Sequence, residues 1–455
     1  MNLPPYPKYK SSGAYWLGDI PTHWEVKRGR FVMGINPPAP KLRALKPEDE
    51  VSFVPMEAVG LQGGLRLEQT RVLAEVSSGY TEFQDGDVVV AKITPCFENG
   101  KAALAHGLLN GAAYGTTELH VLRAGTTIDR NFLFYVAISD TFRNLGESEM
   151  SGAGGQKRVP PEFNKDFKTP LPPLVEQQTI AAFLDRETGR IDRLVAKKLE
   201  LIERLKEKRT ALISHAVTRG LNADAALKPS GLDWLGDIPK HWEAVQLRRK
   251  AHILDCKHRT VPFIDEGIPL ASICEVHGFE VDLTNAKQTS EEEYLTLIEG
   301  HRRPRVGDII YSRNATVGDA ALVTTSDCFC MGQDVCLIRA PKFHPKFLLY
   351  LFRSPPLMEQ VESLMIGSTF RRINVGQIHT FWICAPPLPE QIAIAAYLDA
   401  ETAKLDALVG KVEEAVERLQ EYRTALITAA VTGKIDVRNS SLNGNYSVDV
   451  NKGTA

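Results

Sequence analysis

No apolar stretch in this 455-residue chain approaches the roughly 20 residues that a membrane-crossing helix needs, and the opening MNLPPYPKYK lacks the apolar core of a secretory leader. A cytoplasmic location is the expectation. Cysteine is scarce and odd in number, with seven residues. Cys328, Cys330 and Cys336 stand in a C-x-C-x5-C order that matches no zinc spacing, so free and mostly buried thiols are expected rather than disulfides or a metal site. There is no excess of positive charge either: 54 Lys and Arg face 56 Asp and Glu, for a net charge of −2. A protein that binds nucleic acid unaided is often strongly basic. Any such binding here must come from local basic patches, or be shared with a partner that supplies the remaining positive surface.

Catalytic signatures are missing as well. The sequence has no G-x-x-x-x-G-K-[ST], no G-x-G-x-x-G after a strand, no H-E-x-x-H and no G-x-S-x-G. Its eleven histidines show no ligand spacing. One near match is Asn36-Pro37-Pro38-Ala39, which is similar to the Asn-Pro-Pro-aromatic signature of adenine N6-methyltransferases. Such an enzyme stacks the flipped base on the aromatic ring. Alanine cannot stack, and no glycine-rich cofactor loop accompanies the motif. A binding protein without catalytic residues, metal or cofactor of its own is the reading that remains.

The chain does have a repeat. Trp16–Glu25 reads WLGDIPTHWE and Trp234–Glu243 reads WLGDIPKHWE. The correspondence continues in order: GDVVV at Gly86 with GDIIY at Gly307, FLFY at Phe132 with FLLY at Phe347, PPLVEQ at Pro172 with PPLPEQ at Pro386, and RTALI at both Arg209 and Arg423. A unit of about 215 residues is far longer than any solenoid repeat, so this is a duplicated domain. Different loops within a shared framework, such as Thr94-Pro95-Cys96-Phe97-Glu98-Asn99 against Asn314-Ala315-Thr316-Val317-Gly318, imply that the copies recognise different things.

Each copy changes character once. Its first part has short β-branched runs punctuated by Gly, Pro and Asp, the pattern of mixed strand and loop. Its last part, after Pro-Pro, carries apolar residues at seven-residue spacing: Leu184, Ile191, Leu205 and Leu212 in one copy; Leu398, Leu405, Val412, Leu419 and Leu426 in the other. Leu194, Val195, Leu201 and Ile202 flank the first seam, and Lys198 occupies a seam position. The period predicts two helices of some 35–40 residues that pair with each other inside the chain. The expected fold is therefore α+β, with two α/β domains separated by two long antiparallel helices under a pseudo-twofold internal repeat. The boundaries are 1–170 and 233–385 for the domains, 171–219 and 386–433 for the helices, and 220–232 for a linker. Residues 434–455, ending in NSSLNGNYSVDVNKGTA, read as a disordered tail. The tryptophans read as packing anchors.

Candidate nucleic-acid contacts lie at matching places. Gln156, Lys157 and Arg158 follow the glycine-rich Ser151–Gly155, and Thr369, Arg371 and Arg372 follow Gly367. Lys92 and Thr94 end one Gly-Asp strand, while Arg313 and Asn314 end the other. Lys257, Arg259, Arg302 and Arg303 add charge to the second copy. Glycine permits close backbone approach, and cations can neutralise phosphate or, for Arg, read guanine.

WLGDIPxHWE, the basic residues after glycine, PPLxEQ and RTALI, in this order and twice, resemble the specificity (S) subunits of type I restriction–modification systems. The resemblance covers nearly the whole chain. It implies two target-recognition domains, each reading half of a split, asymmetric sequence in double-stranded DNA, with the helices setting the spacer. It implies a bacterial or archaeal source and no catalytic site in this chain. Two modification (methyltransferase) subunits would bind S-adenosylmethionine, and two restriction (translocase/nuclease) subunits would use ATP and Mg, with no membrane involved. An enzyme built on Asn36–Ala39, and a scaffold without base readout, are the rival readings.

Overall fold

The computed structural model describes residues 3–153, 155–232, 234–365 and 372–439. The chain divides into two compact units, one of Met1–Lys198 with Glu414–Ala455 and the other of Leu199–Glu413.

In the first unit a four-stranded sheet is built from β1 (Met33–Ile35), β2 (Asp87–Ala91), β3 (Ala102–Leu104) and β4 (Leu119–Ala124), in the order β1-β4-β2-β3 with every pair antiparallel. Alternation along the strands gives it two apolar faces. Val88, Val90, Ala102 and Leu122 pack with α1 (Arg130–Ile138) and the long α2 (Leu174–Arg219). Val89, Ala103, Leu119 and Val121 pack with Val54, Phe83 and Ala113 of a second sheet, in which Glu50–Val54 and Ala112–Gly115 run parallel. Being covered on both faces explains why GDVVVA reads as a continuous apolar run rather than an alternating one.

The second unit repeats this plan with β5 (His252–Asp255), β6 (Ile309–Ser312), β7 (Ala320–Leu322) and β8 (Val335–Arg339), in the order β5-β8-β6-β7. Ile309, Tyr311, Cys336 and Ile338 face α3 (Pro345–Phe352) and the start of α4 (Leu388–Val431), while Ile310, Val335 and Leu337 face the other core. The long helices contain 46 and 44 residues, longer than the sequence period suggested, because nothing breaks them before Gly220 and Gly433. Leu184, Ile191, Leu205, Leu398, Leu405, Val412 and Leu426 are buried, and Leu212 and Leu419 are partly so. Of the flanking residues Ile202 is buried, whereas Leu194 and Leu201 lie on the exposed side.

The repeated phrase is an anchor. In the first unit Trp24 is fully buried, its indole N–H donates to Glu176 Oε1 at 3.0 Å, Tyr6 O–H donates to the same oxygen at 2.8 Å, and His23 Nε2 lies 2.8 Å from Glu176 Oε2. In the second, Trp242 and His241 reach Glu390 at 3.0 and 2.8 Å. Both glutamates belong to Pro-Pro-Leu-x-Glu-Gln. The adjacent glutamine accepts from the backbone N–H that precedes the short helix: Asp129 for Gln177 at 2.7 Å, His344 for Gln391 at 2.8 Å.

Each tryptophan also meets the end of the other copy's helix. A Cβ on Gly433 would lie 3.1 Å from Trp24, and one on Gly220 would lie 3.1 Å from Trp242; both glycines have positive φ. In the first unit Arg423 pairs with Asp192 at 2.9 Å while Gly433, ten residues on, sits against Trp24, whose indole bonds Glu176, so the two helix segments there run antiparallel. The second unit makes the equivalent pair, Arg209 with Asp406 at 3.2 Å, again antiparallel. Arginine and aspartate have exchanged helices between the two pairs.

Two boundaries shift. Leu227–Pro229, inside the stretch read as linker, pairs with Asp237–Pro239 just as Tyr9–Ser11 pairs with Asp19–Pro21, so the second copy starts earlier than its tryptophan. The tail does not begin at 434. Lys434 Nζ donates to Leu17 O and Asp19 O at 3.0 and 2.7 Å, Val437 is fully buried, and the Arg438 guanidinium stacks 5.0 Å over the Tyr6 ring. The alternating Ile435 and Val437 supply apolar contacts that composition alone conceals; residues 440–455 lie outside the described set.

Candidate nucleic-acid interface

The two sequence patches in each copy come together. In the first unit β2 runs out into Lys92-Ile93-Thr94, which zips against the loop before Val159. Thr94 N–H donates to Lys157 O at 3.0 Å, Val159 N–H to Lys92 O at 2.8 Å, and Arg158 N–H to Ser151 O at 2.9 Å. Gly152, at φ +152°, makes this loop possible, since a Cβ there would lie 2.3 Å from Gln156 O. The close approach that glycine permits is thus to the loop's own backbone. Gln156 and Lys157 are exposed, Lys92 and Thr94 half-buried, and neither lysine forms an ion pair among the described residues. Arg158 differs, because its Nε and Nη2 both donate to Glu118 at 2.9 Å. That hydrogen-bonded pair holds the Glu118 carboxyl below the usual carboxylate range.

Beneath the loop lies His120, whose Nε2 is 2.8 Å from Val159 O and whose Nδ1 is 3.4 Å from Asn36 Nδ2. One neutral tautomer satisfies both contacts, donating from Nε2 and accepting at Nδ1. Burial pushes its pKa down, partly offset by the Val159 hydrogen bond. Asn36 itself, at φ +49°, accepts from Val121 N–H at 2.8 Å, Pro38 O accepts from Arg123 at 2.7 Å, and Ala39 is fully buried. The Asn-Pro-Pro-Ala stretch is a turn whose polar atoms are engaged by the sheet.

In the second unit β6 runs out into Arg313-Asn314. Ile373 N–H donates to Arg313 O at 2.9 Å, and Asn314 bridges to Arg372. Arg372 is exposed; Thr369 and Arg371 lie outside the described residues. The Arg313 side chain is not at the surface. It is 2% exposed, with Nη2 2.9 Å from Asp255 Oδ1, so its guanidinium braces β5 against β6 rather than facing solvent. Lys257 pairs with Glu299 and Arg259 with Glu293, both at 2.7 Å, which neutralises much of that basic run. Arg302 donates to Asp255 O at 2.6 Å and Glu299 O at 2.8 Å, while Arg303 reaches Cys328 Sγ at 3.4 Å. Among the described residues, the polar side chains that the paired loops present here are the half-buried Asn314 and the exposed Arg372.

The Gly-Asp motif before each outgoing strand proves structural. Asp87 accepts two hydrogen bonds from Arg123 at 2.6 and 2.7 Å, and Asp308 two from Arg339 at 2.9 and 2.6 Å, all inside the sheet. Each Arg lies in an aligned [LV]-x-x-[LI]-R-A run, so the pairing was available in the repeat. All seven cysteines are free. Among the described residues one group, Asp255, Cys256 and His258, brings metal-ligating atoms within 4.8 Å of one another.

The fold and its paired loops define a duplicated module with two equivalent polar faces and different side chains on each. The family model for the type I restriction modification DNA specificity domain matches residues 38–204 and 266–418, and the chain belongs to that family. The EcoAI specificity subunit of Escherichia coli is 38% identical over 187 residues, which cover 41% of this chain and 31% of that relative's length. A putative MjaX specificity subunit of Methanocaldococcus jannaschii is 23% identical over 442 residues, covering 93% and 96% of the two chains. Among solved structures, a chain from work on complex assembly and conformational transition of the type I R-M system has a TM-score of 0.72 at 19% identity, over 91% of this chain and 99% of that one. The HsdS subunit from Thermoanaerobacter tengcongensis has a TM-score of 0.56 at 21% identity, over 91% and 98%. These likenesses establish the same fold. No helix among the described residues is long and apolar enough to cross a membrane.

Proposed function

We propose that this chain reads a bipartite, asymmetric DNA target and directs adenine methylation and cleavage carried out by partner subunits. The observation that carries the reading is the convergence, in both units, of the segment ending the Gly-Asp strand with a later loop, the one through Lys157 in the first unit and the one through Arg372 in the second. Lys92, Thr94, Gln156 and Lys157 face one half-site, and Asn314 and Arg372 the other, with Thr369 and Arg371 completing the second set. Donor and cation types of this kind contact phosphates and base edges. The chain itself holds no catalytic residue, cofactor or metal. S-adenosylmethionine belongs to two modification subunits, and ATP and Mg to two restriction subunits. Their surfaces supply the positive charge that a net charge of −2 lacks. The complex works in the cytoplasm, and each long helix, begun in one unit and ended in the other, sets the spacer.

The test is a genome-wide map of N6-methyladenine in cells expressing this chain with its modification subunit. A split motif that vanishes without the chain is expected. Lys157→Glu should abolish or relax one half of that motif and Arg372→Glu the other. Intact methylation in both variants would overturn the assignment. Insertion of one helical turn in the Ile191–Thr210 segment should alter the spacer and leave both half-sites as they were.

A further inference from the structure

We propose that Cys256 is a modification site, a thiol that reacts with hydroperoxides, lying directly beneath the paired loops of the second unit. β5 ends at Asp255, and the chain then turns through His258 at φ +49°, which folds the imidazole back over the preceding residues. His258 Nδ1 lies 3.5 Å from Cys256 Sγ, and His258 Nε2 lies 3.0 Å from Asp255 Oδ2. On the other side Arg313 Nη2 lies 3.5 Å from the same sulfur and 2.9 Å from Asp255 Oδ1. A nucleophile, a base within reach, a carboxylate orienting that base and a cation against the sulfur form the arrangement that activates thiols. Arg313 adds an independent observation. Its Nε is buried and has no hydrogen-bond partner, a donor in want of an acceptor on the same guanidinium whose Nη2 meets the sulfur.

The chemistry balances. His258 Nδ1 takes the thiol proton while the sulfur electron pair attacks one peroxide oxygen. The O–O bond breaks, and the departing hydroxide regains that proton as water, leaving sulfenic acid on Cys256. The new oxygen is an acceptor for Arg313 Nε. Cys256 is 4% exposed, but the His258 side chain in contact with its sulfur is 47% exposed, so a small movement of that imidazole opens the thiol to a molecule the size of hydrogen peroxide.

The other cysteines lack this set. Burial pushes the thiols of Cys330 and Cys384 up to about 12, and that of Cys336 higher still. Half-buried Cys96 and exposed Cys274 and Cys328 have no histidine hydrogen-bonded to them among the described residues. A divalent cation fits the group less well. The imidazole turns one nitrogen to sulfur and the other to carboxylate, and the guanidinium already places positive charge on both. The first unit has no counterpart, since β1 is followed by Asn36-Pro37-Pro38. Because Arg313 O holds Ile373 N–H, oxidation would disturb the loop carrying Arg372; that consequence rests on the proposed function, whereas the labelling below does not.

The experiment treats the full chain with graded hydrogen peroxide in the presence of dimedone and quantifies each cysteine peptide by mass spectrometry. Cys256 should label first, and His258→Gln should slow its labelling about a hundredfold, the usual scale of a positioned base. Cys274 and Cys328 should be unaffected, and rising labelling at Cys336 or Cys384 would expose a misfolded variant, in which case His258→Asn supplies the comparison. Labelling led by Cys274 or Cys328, or an unchanged Cys256 rate in folded His258→Gln, would overturn the proposal. So would one equivalent of zinc that fully protects Cys256 in the parent chain but not in His258→Gln, which would make the group a metal site.

Discussion

Replacing Glu176 by alanine should destabilise the first unit far more than the equivalent Glu390→Ala destabilises the second. Glu176 is 7% exposed and receives the Trp24 indole N–H, the Tyr6 hydroxyl and His23. Its loss strands two buried donors, and a buried donor left without a partner costs about 1–3 kcal/mol, so the variant should lose about 2–6 kcal/mol. The Tyr6 phenol, which burial and the Glu176 hydrogen bond hold above its ordinary value, stays protonated and gives no escape by ionising. Glu390 has a side chain 27% exposed and serves one indole and an exposed histidine, so water can replace part of what is lost and about 1–2 kcal/mol is expected. Glu176→Gln keeps one carbonyl oxygen for the indole and should recover a large part of the loss. The assay is hydrogen exchange on the full chain under mild denaturant, comparing peptides from 16–25 and 174–185 with those from 234–243 and 388–399. Equal losses in the two alanine variants, or less than about 1 kcal/mol for Glu176→Ala, would refute the argument that the tryptophan phrase is held by this carboxylate.

Stability of the first unit should fall with acid through His120. Its pKa is depressed in the folded state by burial, so its contribution is complete above the ordinary histidine value of 6.5 and is lost as pH drops below that towards the folded value. Protonation would set an N–H against the Asn36 amide. His120→Gln should flatten the acid limb of the denaturation midpoint between slightly alkaline and mildly acidic buffer, and an unchanged slope would contradict the buried neutral tautomer. Arg423→Ala removes the Asp192 pair and the 2.6 Å hydrogen bond to Gln62 Oε1 together. With Asp192 half exposed the loss should be modest, about 1–3 kcal/mol, and localised as faster exchange in residues 59–65. Arg209→Ala should act differently, since that guanidinium stacks 5.7 Å over Phe279 rather than bonding a loop amide, and the faster exchange should centre on Phe279.

Periodicity and repetition carried most of the architecture. Seven-residue spacing located the buried seam from Leu184 to Leu426, and the aligned Gly-Asp and Pro-Pro-Leu-x-Glu-Gln phrases located strands and helix starts. What stayed hidden depends on partners distant in sequence. Arg313 looked like Lys92, its aligned neighbour at a strand end, yet only one of them has an aspartate across the sheet, because β5 ends in Asp255 where β1 leads into prolines. Lys257 and Arg259 read as free charge until the glutamates near 293–299 fold against them. Local composition reports what a side chain is, and the charge of a surface depends on which side chain it meets. The same reasoning explains the tail, where Ile435 and Val437 join the core that also holds Tyr6 and Trp24 from the far end of the sequence.

The duplication in sequence and the division in space are not the same cut. A sequence copy runs from its tryptophan phrase through its own long helix, whereas each compact unit takes the start of that helix and the end of the other copy's. Trp24 therefore packs on Glu176 from its own copy and beside Gly433 from the second; Trp242 packs on Glu390 from its own copy and beside Gly220 from the first. Neither copy alone supplies both sides of its anchor. A chain truncated after residue 220 would keep the four-stranded sheet of its first unit but lose the segment around Leu426, Ile427 and Val431 that closes the first core. A half chain should accordingly be stable only when a second copy of itself donates the missing helix end, Gly220 taking the place of Gly433 beside Trp24. Sedimentation of residues 1–220 tests this directly: a dimer agrees with the exchange of helix ends, and a stably folded monomer rules it out.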